Sequence, residues 1–290
     1  MTRTTKALAA ATVVLAALAL AACTPSAAAP PDLADVEQPA SAPSVATLGI
    51  LGDSVSLGVN ACAEPGQCAQ ASWSGGSDPA VGSVAARLAA ASGTEPDVVN
   101  AAKDGGDVED ALGLADEVVA AQPELVTVLL GGNDACAPTL DEMTPAADYE
   151  SRLGALLTKL NTEVPGATVL VLSVPDLHHL WEIGRTDASA VQAWNSSPSC
   201  KNLLGSADDD SAAADERRDA VAARVVEYNE AIVRVCAAAE RCIDDEGAVY
   251  AYPFEIDEIS SIDHFHPSVA GQRVIAEIAW QALEKGGADG

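Results

Sequence analysis

The chain has 290 residues, 49% of them hydrophobic and 20% charged, which is enough apolar material for a buried core and excludes a disordered tail or a disulfide miniprotein. Lys plus Arg number 15 against 43 Asp plus Glu, a formal net charge of -28. That balance argues against nucleic acid as a partner and against direct adhesion to an anionic lipid surface.

At the start, Arg3 and Lys6 precede an apolar run from Ala7 to Ala22. The run is too short and too Ala-rich for a transmembrane helix but fits the h-region of a signal peptide. It ends in Leu20-Ala21-Ala22-Cys23, which resembles the bacterial lipobox. The expectation is a lipoprotein signal peptide over 1–22 and lipidation of Cys23, anchoring the protein to the outer face of the bacterial cell membrane; cleavage elsewhere in the stretch would release a secreted protein. A Pro-, Ala- and Ser-rich segment over 23–44 reads as a tether. Membrane contact is expected only through that anchor, and the protein is expected to be a monomer.

Beyond the tether, one domain is expected over 45–286. The segments Val45–Leu51, Asp97–Asn100, Leu125–Leu130, Thr168–Ser173 and Val249–Tyr252 read as strands, with helix-period segments between them. Tyr149, Leu153, Leu156, Leu160 and Val164 form one helical stripe, and Val221, Val225, Tyr228, Ile232 and Val235 another. Alternation of this kind predicts a mostly parallel sheet covered by helices on both faces, with chemistry on the loops that follow the strands. The stretch from Asp176 to Ala212 has no clear period and reads as an excursion shaping the rim of such a site.

Of seven cysteines, removing Cys23 leaves an even number, the usage of an oxidising compartment. The simplest pairing closes Cys62/Cys68 and Cys236/Cys242 as local loops and leaves Cys136 for Cys200. Neither close pair has the spacing of a zinc knuckle, so no metal is expected.

The first strand runs into Gly52-Asp53-Ser54, which places a hydroxyl at a strand-to-helix turn where backbone N–H groups face whatever it attacks. A serine hydroxyl needs a base. Asp263-His264-Phe265-His266-Pro267 offers one: Pro267 suits a first helical position, which puts His266 at the helix start and Asp263 one turn back, within reach of its ring. His264 reads as structural or rim-exposed, and His178 and His179 as loop residues near the cleft. After the third strand, Gly131-Gly132-Asn133-Asp134 lets the backbone approach a ligand and supplies an uncharged amide donor. After the second, Asn100-Ala101-Ala102-Lys103-Asp104-Gly105-Gly106 offers a backbone N–H from Gly105 or Gly106. The acidic group Asp104, Asp107, Glu109 and Asp110 lacks calcium-loop spacing and suits a helix start.

These blocks, in this order, resemble the SGNH, or GDSL, hydrolase family. The resemblance implies a flavodoxin-like three-layer αβα sandwich with a five-stranded sheet and no cofactor. It implies a secreted serine esterase or lipase in which Ser54 attacks a small-molecule or lipid ester, His266 is the base and Asp263 orients it. Ser54, Gly105 and Asn133 would form the oxyanion hole. Ala71-Ser72-Trp73-Ser74-Gly75-Gly76, the stretch 126–136 and Val164-Pro165-Gly166-Ala167 are similar to the phospholipase B branch. Lys103-Asp104 is more charged than that family's second block. A carbohydrate O-acetyl esterase and a non-catalytic surface-binding lipoprotein are the competing readings.

Overall fold

The computed structural model describes residues 45–288. The expected signal peptide over 1–22, the lipidation site Cys23 and the tether over 23–44 lie outside the described residues. Five strands, β1 (Thr47–Gly52), β2 (Asp97–Asn100), β3 (Leu125–Leu129), β4 (Thr168–Leu172) and β5 (Cys242–Asp244), form one sheet in the order β2-β1-β3-β4-β5, and every neighbouring pair is parallel.

The helices are α1 (Val84–Ser92), α2 (Val108–Ala120), α3 (Gly132–Ala135), α4 (Ala146–Glu163), α5 (Leu177–Gly184), α6 (Ala188–Ser196), α7 (Lys201–Leu204), α8 (Ala212–Ala238), α9 (Ala248–Ala251) and α10 (Val269–Ala288). Successive strand residues point to opposite faces, so a strand with neighbours on both sides and helices on both faces is apolar throughout. The β3 sequence Leu-Val-Thr-Val-Leu is buried along its whole length. Val126 and Val128 pack with Val169 and Val171 of β4 against α2, α4 and α8. Leu125 and Leu129 pack with Leu170 and Leu172 against α1 and α10. The result is a three-layer αβα sandwich.

Both predicted stripes face this core: Leu153, Leu156 and Leu160 of α4 and Val221, Val225 and Ile232 of α8 are buried, and Tyr149 stacks on Tyr228 at 4.2 Å between ring centroids. The register pairs Gly52 of β1 with Leu129 of β3, and Leu129 with Leu172 of β4. The loops after β1, β3 and β4 therefore start side by side at one edge.

The last strand differs from expectation. Val249–Tyr252 is not a strand; Ala248–Ala251 is the short helix α9, and β5 is Cys242–Asp244. The cause is Asp245, buried directly after β5. Its carboxylate accepts from the N–H of Gly247 and Val249 and from the N–H and hydroxyl of Ser173. These bonds turn the chain out of the sheet and into α9, whose N-cap is Gly247. Val249 owes its burial to packing with Ile275 and Ala279 of α10, not to a ladder.

The stretch 176–212 is also more regular than its sequence suggests. It holds α5, α6 and α7, with Asp176 and Asp187 as caps. Helices this short leave too few turns for a period to register. The Trp181 ring carries the guanidinium groups of Arg218 and Arg185 at 4.1 and 4.4 Å, and its Nε1–H donates to the Ala207 carbonyl at 3.0 Å. Three disulfides join Cys62 to Cys68, Cys136 to Cys200 and Cys236 to Cys242, the pairing expected from spacing. No helix among the described residues is long and apolar enough to cross a membrane.

Candidate active site

After Gly52 the chain folds into successive turns instead of a regular helix. Ser56 N–H donates to the Asp53 carbonyl and Gly58 N–H to that of Val55, both at 3.1 Å. Ser54 sits in the first of these turns with its Oγ 2.8 Å from His266 Nε2. On the other side of the ring, Nδ1 lies 2.5 Å from Asp263 Oδ2. A carboxylate only accepts, so the neutral ring carries its hydrogen on Nδ1 and turns the Nε2 lone pair toward the serine hydroxyl.

Asp263 does not reach back along a helix. Its Oδ1 accepts from the N–H groups of Phe265 and His266 in a tight turn, and α10 starts only at Val269, with the Ser268 hydroxyl accepting from Gly271 N–H. Pro267, expected at a first helical position, instead pairs with Ile259 in an isolated antiparallel bridge. Asp263 is held down at about 2: burial opposes its charge, and the His266 hydrogen bond and charge, the Asn60 amide and the Phe265 N–H outweigh it.

Asn60 is a site residue that the sequence reading missed. Its Nδ2–H donates to Asp263 Oδ2 at 2.7 Å, and its Oδ1 accepts from Gly66 N–H at 2.7 Å. Its φ of 54° lies in the left-handed region, where Asn is among the few side chains tolerated. An Asn before a Cys-bounded loop was the only available signal, and it is a weak one.

Gly131 has φ 121°, and a Cβ there would come within 2.5 Å of Val174 Cγ2, so only glycine fits the bend into α3. That bend aims Asn133 across the loop after β2. Its Nδ2 donates to the Gly106 carbonyl at 2.9 Å and approaches Asp53 Oδ2 at 3.5 Å. Gly106 N–H is taken by the Lys103 carbonyl at 2.9 Å. The N–H groups of Ser54 and Gly105 make no hydrogen bond among the described residues.

Asp53 is 5% exposed; burial pushes its carboxyl up to about 6, against the Val55 N–H and the charge of His266. The charged second block has a structural use. Asp107 and Asp110 form a capping box at the start of α2, and Lys103 pairs with Asp110 at 2.6 Å. Among the described residues, no group of three or more His, Cys, Asp or Glu is arranged to hold a metal ion.

Ser54, Asn133 and His266 line one cavity of about 80 Å³, whose wall is otherwise largely hydrocarbon, including Leu129, Val174, Leu180, Phe254 and Phe265. His178 and His179 lie on α5, not in a loop; only His179 reaches this cavity. His264 contributes its carbonyl, which accepts from Trp194 Nε1–H at 2.9 Å and ties α6 to the turn bearing His266.

The sequence model described as the GDSL-like Lipase/Acylhydrolase family matches residues 50–274. Among curated proteins, none matches the chain. Among solved structures, the lipase/acylhydrolase from Enterococcus faecalis is similar at a TM-score of 0.52 and 22% identity, over 82% of this chain and 96% of that one. An alpha/beta hydrolase enzyme from the metagenome of Lake Arreo, Spain, is similar at 0.52 and 19%, over 82% and 95%. At such identities the likeness to solved structures carries the fold alone.

Proposed function

We propose, for a chain that belongs to the GDSL-like lipase/acylhydrolase family, that it hydrolyses carboxylic esters through an acyl-enzyme on Ser54. The observation that carries this reading is the unbroken chain from Ser54 Oγ through the His266 ring to Asp263, set in the wall of an apolar cavity.

Ser54 Oγ attacks the ester carbonyl carbon while its proton passes to His266 Nε2. Asp263 holds the imidazole in the right tautomer and offsets the charge that it gains. The Ser54 and Gly105 N–H groups stabilise the oxyanion, joined by the Asn133 amide hydrogen whose long contact to Asp53 Oδ2, at 3.5 Å, gives way to it. Gly105 is preferred over Gly106 because the Gly106 N–H already has a partner. Collapse expels the alcohol, which takes the proton from His266. Water then gives a proton to His266 and attacks the acyl carbon; collapse releases the acid as Ser54 Oγ takes that proton back from His266.

Esters of p-nitrophenol from acetyl to palmitoyl, alongside phospholipid and acetylated sugar, test the reading. The Ser54→Ala protein should fold normally and lose on the order of 10⁴-fold or more in kcat. Activity within tenfold of the unaltered protein would overturn the assignment of the nucleophile.

The three disulfides support export to an oxidising compartment, with Cys23 as the lipid-bearing residue. Fatty-acid labelling of the full chain should be lost in Cys23→Ala; labelling that survived the change would remove that anchor.

A further inference from the structure

The cavity beside Ser54 reaches across three strands. It spans the C-terminal ends of β1, β3 and β4, taking Ser54 from the first, Leu129 from the second and Val174 after the third. Two strand spacings of ~4.8 Å separate β1 from β4, so the wall formed after β4 stands roughly 10 Å across the sheet edge from the nucleophile's strand.

His179 belongs to that wall and is fixed at several points. Its main-chain N–H donates to the Asp176 carboxylate at 3.0 Å, the cap of α5. Its ring Nε2–H donates to the Phe254 carbonyl at 3.0 Å, since a carbonyl can only accept. Phe254 in turn packs edge-on against Tyr252 at 4.8 Å. The His179–Phe254 bond thus joins α5 to the segment that follows α9, and both residues line the cavity.

Size and chemistry then restrict the occupant. A cavity of about 80 Å³ is about half the ~150 Å³ that accepts a benzene ring, which leaves room for roughly three carbons. The largely hydrocarbon wall suits an acyl chain better than a sugar alcohol, whose hydroxyls would need many more polar partners.

Resting on the ester-hydrolase reading, we infer that this cavity is the acyl pocket, that it takes acyl groups of two to four carbons, and that His179 and Phe254 close its far end. His179 is then a specificity-determining residue that performs no proton transfer.

The test is kcat/KM for p-nitrophenyl acetate, butyrate and octanoate, measured on the unaltered protein, His179→Ala and Phe254→Ala. A second series keeps the acetyl group and varies the alcohol. The unaltered protein should favour butyrate over octanoate by at least ~10-fold, the scale on which an apolar pocket discriminates chain length. Each variant should raise the octanoate-to-acetate ratio by about tenfold, and alcohol length should shift kcat/KM far less than acyl length. Phe254→Ala removes a wall but leaves the carbonyl that His179 engages, so it decides the matter even if His179→Ala fails to fold. Turnover with octanoate preferred, unchanged ratios in the folded variants, or a dominant effect of the alcohol would each overturn the pocket assignment while leaving the hydrolase standing. Turnover of none of the esters would overturn both.

Discussion

Asn60 Nδ2–H and His266 Nδ1–H converge on the same oxygen of Asp263, at 2.7 and 2.5 Å, although Asn60 and Asp263 are 203 residues apart in sequence. Asn60 also has its main-chain carbonyl held by the Ser260 hydroxyl, so the turn after β1 and the turn bearing His266 are tied together at the carboxylate itself. Asn60 therefore acts as a positioning residue in the proposed reaction: it neither touches the ester nor moves a proton.

Asn60→Gly keeps the left-handed backbone while removing the amide, and with it the bonds to Asp263 and to Gly66 N–H. A hydrogen bond to a charged group is worth ~1.5–3 kcal/mol, so kcat should fall about 10- to 100-fold with KM little changed. The loss should deepen at acid pH, since Asp263 then lacks one donor that favours its charge. An equal change in kcat and KM, or none, would reduce Asn60 to a turn residue.

Asn133→Ala should lower kcat by about 10²–10³-fold, the scale for one oxyanion donor. The fold should survive, because the amide bonds a loop carbonyl and not a core element. An unchanged kcat would leave Asn133 as a bridge between the loops after β2 and β3 and nothing more.

The stability of the domain should rise as the pH falls from neutral toward 5. Burial pushes the carboxyls of both Asp53 and Asp134 up to about 6, with the charge of Asp107 adding to the effect at Asp134. A raised carboxyl pKa gives stability that is fully present below the unfolded value of 3.8 and lost as pH rises through about 6. Asp263 has the opposite sign, giving stability above 3.8 that is lost as pH falls toward 2. Asp134→Asn should therefore be stabilising by ~1–3 kcal/mol at pH 7.5, with the gain shrinking toward pH 4. Urea unfolding at pH 7.5, 6 and 5 checks this; a gain independent of pH would show that the carboxyl titrates alike in both states.

Cys136 follows α3 directly, and its disulfide to Cys200 closes a separation of 64 residues. Replacing both cysteines by Ala should destabilise the domain by ~2–4 kcal/mol through the freer unfolded chain. The activity should drop as well, because α3 carries Asn133. Thiol titration of the denatured, unreduced domain should find no reactive cysteine among the six beyond Cys23, and two or more would break the pairing.

What the sequence determined by itself is what local spacing can encode. Apolar runs marked four of the five strands, helical stripes marked α4 and α8, and short motifs put Ser54, Gly105 and Asn133 just after strands and His266 before the last helix. Close spacing also paired four cysteines and left the remaining two for each other. The rest was decided by contacts distant in the chain. Val249–Tyr252 has the composition of a strand, yet the buried Asp245 carboxylate, shared with Ser173, ends β5 after three residues and turns the next segment into a helix. Pro267 has the look of a first helical residue, yet its bridge to Ile259 holds it extended. Asn60 gave only the weak sign of an Asn before a Cys-bounded loop and His179 only a place near the cleft, because a hydrogen bond to Asp263 or to the Phe254 carbonyl exists only once the sheet has brought separate loops to one edge. Periodicity reports which face of an element is apolar, whereas the partner of a buried polar group is fixed by packing alone.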